Sequence, residues 1–386
     1  MNSLVKVAPN IKKFNDYIFE VKKGTKPMML SGLTDSGKVH LAYSTRFYSD
    51  KPICIITYNE LQAKKIVKDL EFFGEKVKFF PKRDTVSFDY IAESKDVLYQ
   101  RISALNKLAK GEAKVILTTI EAIMQKMITK ESLFKNVMNL KVGDTLNLAT
   151  LKEKLILLGY ERYDLIEGKG QFSIRGGIID IATSKNSGVR IELWGDEIDS
   201  IRKFSIVSQR TVEMLEDATI YPAYEFLLET DINTICERIS SKSYIKPVRE
   251  KVEEDIEDIK NGDFLTKIDK YFDSFYEKSN TLLDYIKDDY IIFIDEIEKV
   301  KARAENIAKD NENLKQDLIE RNKIVPEMLT KMEDYYNVSS KLEDKQTIYL
   351  EKQDIGFVDK QSMHAKRNGY SFSYREVNFF RSSMDL

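Results

Sequence analysis

Hydrophobic and polar positions follow two rhythms along the 386 residues. The first has a period of two. In Gln171–Arg175 the apolar Phe172 and Ile174 point one way, and Gln171, Ser173 and Arg175 the other. In residues 189–194, Val189, Ile191 and Leu193 alternate with Arg190, Glu192 and Trp194. Such alternation predicts strands with one buried face. Gly176-Gly177 interrupts the first run, as a bulge or a close backbone approach would. Residues 184–188 form a turn cluster, so the two runs are expected to pair antiparallel. A solvated outer face is the plain reading of the charges there. Yet the chain's single tryptophan, two arginines and a central acid are side-chain types that concentrate binding energy at protein interfaces.

The second rhythm is of short apolar runs separated by amphipathic stretches. A short helix over 12–20 leads through Pro27 to the apolar run 28–30. Ile53–Thr57 reads as a buried strand. Asn59 caps the helix after it, where Ile66, Leu70 and Phe73 share a face. Val77–Phe80 is a strand ended by Pro81, 96–108 a helix, and 115–118 a strand. A capping box, Thr118-Thr119-Ile120-Glu121, then opens a further helix. Strands alternating with helices predict an α/β lobe with a parallel sheet. Residues 151–158 form a helix that leads into the antiparallel unit, which closes near Tyr221-Pro222-Ala223. Charged helical segments fill 231–289, with their charge on a solvated face. The apolar run 290–294 is a strand, 299–324 a long polar helix, and 348–350 a strand; 369–380 alternates again.

Charge narrows the function classes. Lys and Arg total 61 against 63 Asp and Glu, a net charge of −2. A dedicated nucleic-acid binder carries a basic excess, so any DNA contact is expected to be local. Two cysteines, Cys54 and Cys236, give neither a disulfide framework nor metal spacing. His40 and His364 are isolated and read as structural or solvent-exposed. No signal peptide or apolar run near twenty residues is visible, so a cytoplasmic protein with no membrane partner is expected.

Two motifs carry candidate chemistry. Gly32 to Lys38 fits the G-x(4)-G-K part of a phosphate-binding loop between a strand and a helix. In such loops glycines let backbone N–H groups close around phosphate oxygens, and the lysine reaches the outer phosphates. The next position should hold magnesium through a hydroxyl; here it is Val39. Asp295 and Glu296 end the apolar run 290–294, as in the acidic motif where Asp organises magnesium and Glu polarises the attacking water. Glu298 stands where helicases of the DExH type have histidine. Gly32, Gly37, Lys38, Asp295 and Glu296 are therefore expected to be a vestigial nucleotide site, with residual nucleotide binding as the alternative. No catalytic set and no metal site are expected.

The sequence G-Y-E-R-x-D, then F-x-I-R-G-G-I-I-D-I, R-I-E-L-W-G-D-E-I-D-S-I-R, S-Q-R-T and Y-P-A-x-E-F resembles the UvrA-binding domain shared by UvrB and the transcription-repair coupling factors. The Gly-Gly after Arg175 and the block Ser208-Gln209-Arg210-Thr211 favour the coupling factors. So does the short stretch between Phe80 and Gln100, which keeps Phe88 and Tyr90 but has no room for UvrB's DNA-clamping hairpin. The resemblance implies that Arg162, Arg175, Arg190 and Glu192 contact UvrA. Ser173 stands where UvrB carries a further arginine.

The resemblance also implies the layout. A RecA-like lobe with a degenerate P-loop NTPase fold begins at 1–130, and a small α+β domain with an antiparallel sheet is inserted at 131–226. Helical segments and the rest of the lobe follow at 227–348, and 349–386 is expected to start a further domain. The chain would be the amino-terminal part of a much longer protein. It would recruit UvrA to stalled RNA polymerase in transcription-coupled nucleotide excision repair, and hydrolyse nothing itself. ATP, magnesium, RNA polymerase and DNA would belong to the translocase parts beyond this chain, which would mask the UvrA-binding face until the motor engages. The alternatives are an active ATP-binding, helicase-type lobe and a DNA-binding module.

Overall fold

The computed structural model describes residues 3–83, 95–328, 332–354 and 360–374. Phe88, Tyr90 and the end of the chain after Tyr374 lie outside them.

Three early strands, β1 (Met28–Ser31), β2 (Ile53–Thr57) and β4 (Val115–Thr119), are buried at every position; β3 (Val77–Phe80) is partly covered. Strands covered on both faces read as continuous apolar runs, which is why they were legible without alternation. After β4 the chain builds a second unit. This comprises β5 (Met138–Lys141), the helix Leu148–Leu157, β6 (Glu161–Arg162), β7 (Gln171–Arg175), β8 (Ile178–Ile181), β9 (Ser187–Trp194), β10 (Glu197–Ser205), β11 (Thr211–Leu215) and β12 (Asp217–Ile220). It then passes through helices Ile232–Ser240, Lys246–Lys260 and Ile268–Phe275 and returns to the first sheet with β13 (Ile291–Asp295), β14 (Gln346–Leu350) and β15 (Gly369–Ser371).

The main sheet has the order β15-β1-β14-β13-β2-β4-β3, with parallel pairing throughout. Since β13 lies against β2, the late strands complete a sheet begun before the insertion. One expectation changes here. Residues 349–386 read as the start of another domain, but β14 fills the gap between β1 and β13, and β15 adds to the outer side of β1. The described part of that stretch belongs to the lobe.

The second unit is a six-stranded sheet, β11-β10-β9-β8-β7-β6, backed by the helix Leu148–Leu157 and a two-stranded ladder of β5 and β12. Phe172, Ile179, Ile181, Ile191 and Ile201 pack with Leu151 and Leu155 in its core. The two alternating runs do not pair with each other. Gly176-Gly177 makes a two-residue turn, with Gly176 at φ +60°, and the chain doubles back as β8 between them. The close approach is real: Leu193 N–H donates to the Gly177 carbonyl at 2.8 Å, and a Cβ on Gly177 would meet the Leu193 carbonyl oxygen at 2.9 Å.

The units meet at a buried charge cluster. Arg101, on the helix Lys95–Lys110, donates through Nε to both Glu225 oxygens at 2.7 and 3.0 Å. Its Nη1 donates to the Pro81 carbonyl at 2.7 Å and to Gln125 at 3.0 Å. Next to it, Arg83 pairs with Asp269 on the helix Ile268–Phe275. No described helix is long and apolar enough to cross a membrane.

Candidate functional site

Register decides which side chains share a face. Asp180 on β8 lies opposite Arg190 on β9, and Ile178 lies opposite both Arg175 and Glu192. Arg175, Asp180, Arg190, Glu192 and Trp194 therefore project from the same side, away from the core. Asp180 is fully buried there. It accepts from Arg175 Nη2 at 2.7 Å and from Arg190 Nε and Nη2 at 2.6 and 3.0 Å. Arg190 Nη2 also donates to Gln209 at 3.2 Å, and its guanidinium stacks over the Phe204 ring at 4.6 Å. The hydrogen bonds to Asp180 raise the Arg190 pKa further. Glu192 pairs with Arg202 and accepts from the Ser200 hydroxyl at 3.2 Å.

The face stays open. The Arg175 side chain is 46% exposed and that of Arg190 18%. Trp194 is 84% exposed, and Val212 and Met214 on the edge strand β11 are also largely exposed. Arg162 is the exception among the four expected contacts. It is exposed, but on β6 its register partner is the core residue Phe172, so it does not share the row of Arg175. Ser173 is buried, and nothing at that position reaches the surface. Asp180, Arg202 and Gln209 were not anticipated as part of this face.

The second candidate is the loop between β1 and the helix Asp35–Ser49. The Thr34 hydroxyl caps that helix by accepting from Gly37 N–H at 3.1 Å, while Leu33 N–H donates to the Glu351 carbonyl at 3.2 Å. Lys38 is 3% exposed and donates to Asp295 at 2.8 Å and to Glu296. Burial works against its ammonium, but the two acids outweigh it and the pKa is raised. Asp295 also accepts from Thr57 at 2.9 Å and Gln62 at 3.3 Å. Val39 is packed in the core.

Residues just past β15 lie across this loop. Phe372 N–H donates to the Ser31 carbonyl at 2.9 Å, Tyr374 N–H to that of Gly32 at 3.2 Å, and the Tyr374 hydroxyl bonds His40 at 2.9 Å. A Cβ on Gly32 would lie 2.0 Å from the Phe372 carbonyl oxygen, and one on Gly37 2.7 Å from the Tyr374 ring. Both glycines thus serve a close approach by the chain itself. The cavity among Asp35, Lys38, Val39 and Asp295 is about 10 Å³, room for about one water rather than a phosphate chain.

Glu351, just past β14, is buried and accepts from Ile297 N–H at 2.9 Å. Burial, with Glu296 and Asp295 nearby, pushes its carboxyl up to about 8. A raised carboxyl binds a proton in the folded chain that the unfolded chain has released, so between about pH 4.5 and 8 its contribution falls as pH rises. Glu351→Gln is therefore expected to stabilise the chain more at pH 8 than at pH 5. Urea midpoints at the two values check this; an equal gain at both would contradict it.

Residues 138–226 match the family described as the UvrB interaction domain. Similar proteins include the transcription-repair-coupling factor of Bacillus subtilis, 32% identical over 328 residues, which cover 81% of this chain and 28% of that protein. Those of Staphylococcus epidermidis and Staphylococcus aureus are 30% and 28% identical over 312 and 332 residues, covering 77% and 81% of this chain and 26% and 28% of those proteins. The chain thus spans little more than a quarter of the length of these relatives. With the UvrB interaction domain inserted into an α/β lobe, the chain belongs with the transcription-repair-coupling factors and corresponds to their UvrB-like, amino-terminal region.

Proposed function

We propose that this chain is a recruiting module that docks UvrA through the open face of β7 to β10. The observation that carries this reading is the convergence of Arg175, Arg190 and Glu192 on one exposed face, with Trp194 at its end. Arginine forks supply charge-assisted, directional pairing, and an exposed indole supplies apolar area at small entropic loss. Arg162, on the far edge strand β6 and in the row of Phe172, would reach the partner only around that edge. The whole protein would couple this module to a motor that displaces stalled RNA polymerase from DNA, using ATP and magnesium in parts outside this chain.

The lobe acts as a platform and turns over no nucleotide. Lys38 has Asp295 and Glu296 as counter-charges, Val39 offers no oxygen, and Phe372 and Tyr374 cover the glycines. That Lys38 does sit beside the acid pair favours the alternative reading, a working ATPase lobe. Titration with a fluorescent ATP analogue and a phosphate-release assay separate the two. No micromolar binding and no steady release are expected; binding abolished by Lys38→Ala, with turnover, would establish the alternative.

Recruitment is tested by titrating labelled UvrA with the chain. Saturable binding that weakens as salt rises is expected, because guanidinium pairs at a partly exposed face are screened. Failure to bind at low salt would overturn the proposal.

A further inference from the structure

Arg175 and Arg190 stand on β7 and β9, strands that do not touch, with β8 between them. Two guanidiniums on one face repel, and each long side chain has many rotamers to lose when a partner binds. Here a single carboxylate holds both. Asp180 engages Nη2 of Arg175 and both Nε and Nη2 of Arg190. That leaves Nη1 of Arg190, and Nε and Nη1 of Arg175, outside the contact. Gln209 and the Phe204 ring complete the seat of Arg190.

A neighbouring group shows where the carboxylate is directed. Ser173 is the register partner of Asp180, and its buried hydroxyl has no hydrogen-bond partner. The acid serves the two arginines rather than the polar group beside it. Resting on the reading of this face as the UvrA-binding surface, we propose that Asp180 is a positioning residue. It fixes both arginines in one orientation before the partner arrives, with Gln209 as a second support for Arg190. The donors left outside the contact are then preset for acidic groups on the partner, and less side-chain freedom remains to be lost on binding.

The test measures UvrA affinity for the wild-type chain, Asp180→Asn, Arg190→Ala and the combined variant, and follows the Arg190 Nε–H resonance in the free chain. Asp180→Asn is expected to weaken binding about tenfold in the wild-type background and clearly less in Arg190→Ala. The Arg190 Nε–H signal should lose its protection from exchange. Gln209→Ala, which leaves Asp180 in place, is expected to weaken binding about threefold in the wild-type background and not at all in Arg190→Ala; it decides the matter if Asp180→Asn does not fold. Equal losses in both backgrounds would mean a merely structural acid and overturn the positioning role. Wild-type binding with Asp180→Asn and Gln209→Ala unchanged would do the same. No binding by the wild-type chain would instead overturn the recruiting function itself.

Discussion

Replacing Arg175 and Arg190 together by alanine is expected to weaken UvrA binding by about a hundredfold or more. Arginines at the centre of an interface contribute ~2–4 kcal/mol each on truncation, and a tenfold change in affinity is ~1.4 kcal/mol. The effect on stability should be smaller. Asp180 is paired with the very side chains that are removed. With both stems gone, water can reach the carboxylate, so the destabilisation stays near ~1–2 kcal/mol. Binding isotherms together with urea unfolding separate the two effects. Unchanged affinity would remove the site assignment, and affinity lost only in step with unfolding would remove its interpretation.

The largest stability effect is expected at the junction of the units. Arg101 and Glu225 are both fully buried, and the Arg101 guanidinium also stacks over Phe80 at 4.1 Å. Both lie in the interior at the junction, whereas Asp180 lies under an open face. Breaking such a pair from one side costs ~3–5 kcal/mol. Arg101→Ala should shift the urea midpoint strongly downward. Arg101→Met with Glu225→Met should lie closer to the wild type, because no uncompensated charge then remains. A double variant as unstable as the single one would contradict this account of the junction.

Much of this architecture was legible because it follows from local pattern. β2 and β13 are apolar up to their last residue and β4 over its first three, as strands covered on both faces tend to be. The alternation in β7 and β9 put Arg175, Arg190, Glu192 and Trp194 on one face, as the structure has them. What stayed hidden depends on register or on distance along the chain. β8 has only four residues, and with Ile178 on the charged face its alternation spans just Ile179 to Ile181, so nothing local marks Asp180 as standing between two arginines. Counting outward from the Trp194–Glu197 turn would place Asp199 opposite Glu192. A bulge between Ile198 and Ser200 shifts the ladder by one, sets Ser200 there and turns Arg202 onto the charged face. The approach of Phe372 and Tyr374 to Gly32 and Gly37 joins segments more than 330 residues apart, and no local periodicity encodes it.

Amide hydrogen exchange of the chain, alone and saturated with UvrA, tests the recruiting face most directly. New protection is expected in β7, β8, β9 and β10 around Arg175, Arg190 and Trp194, with exchange at Gly32 to Lys38 unchanged. Protection confined to the Gly32–Lys38 loop or to the helices between 232 and 275, with β7 to β10 unaffected, would contradict the recruiting face.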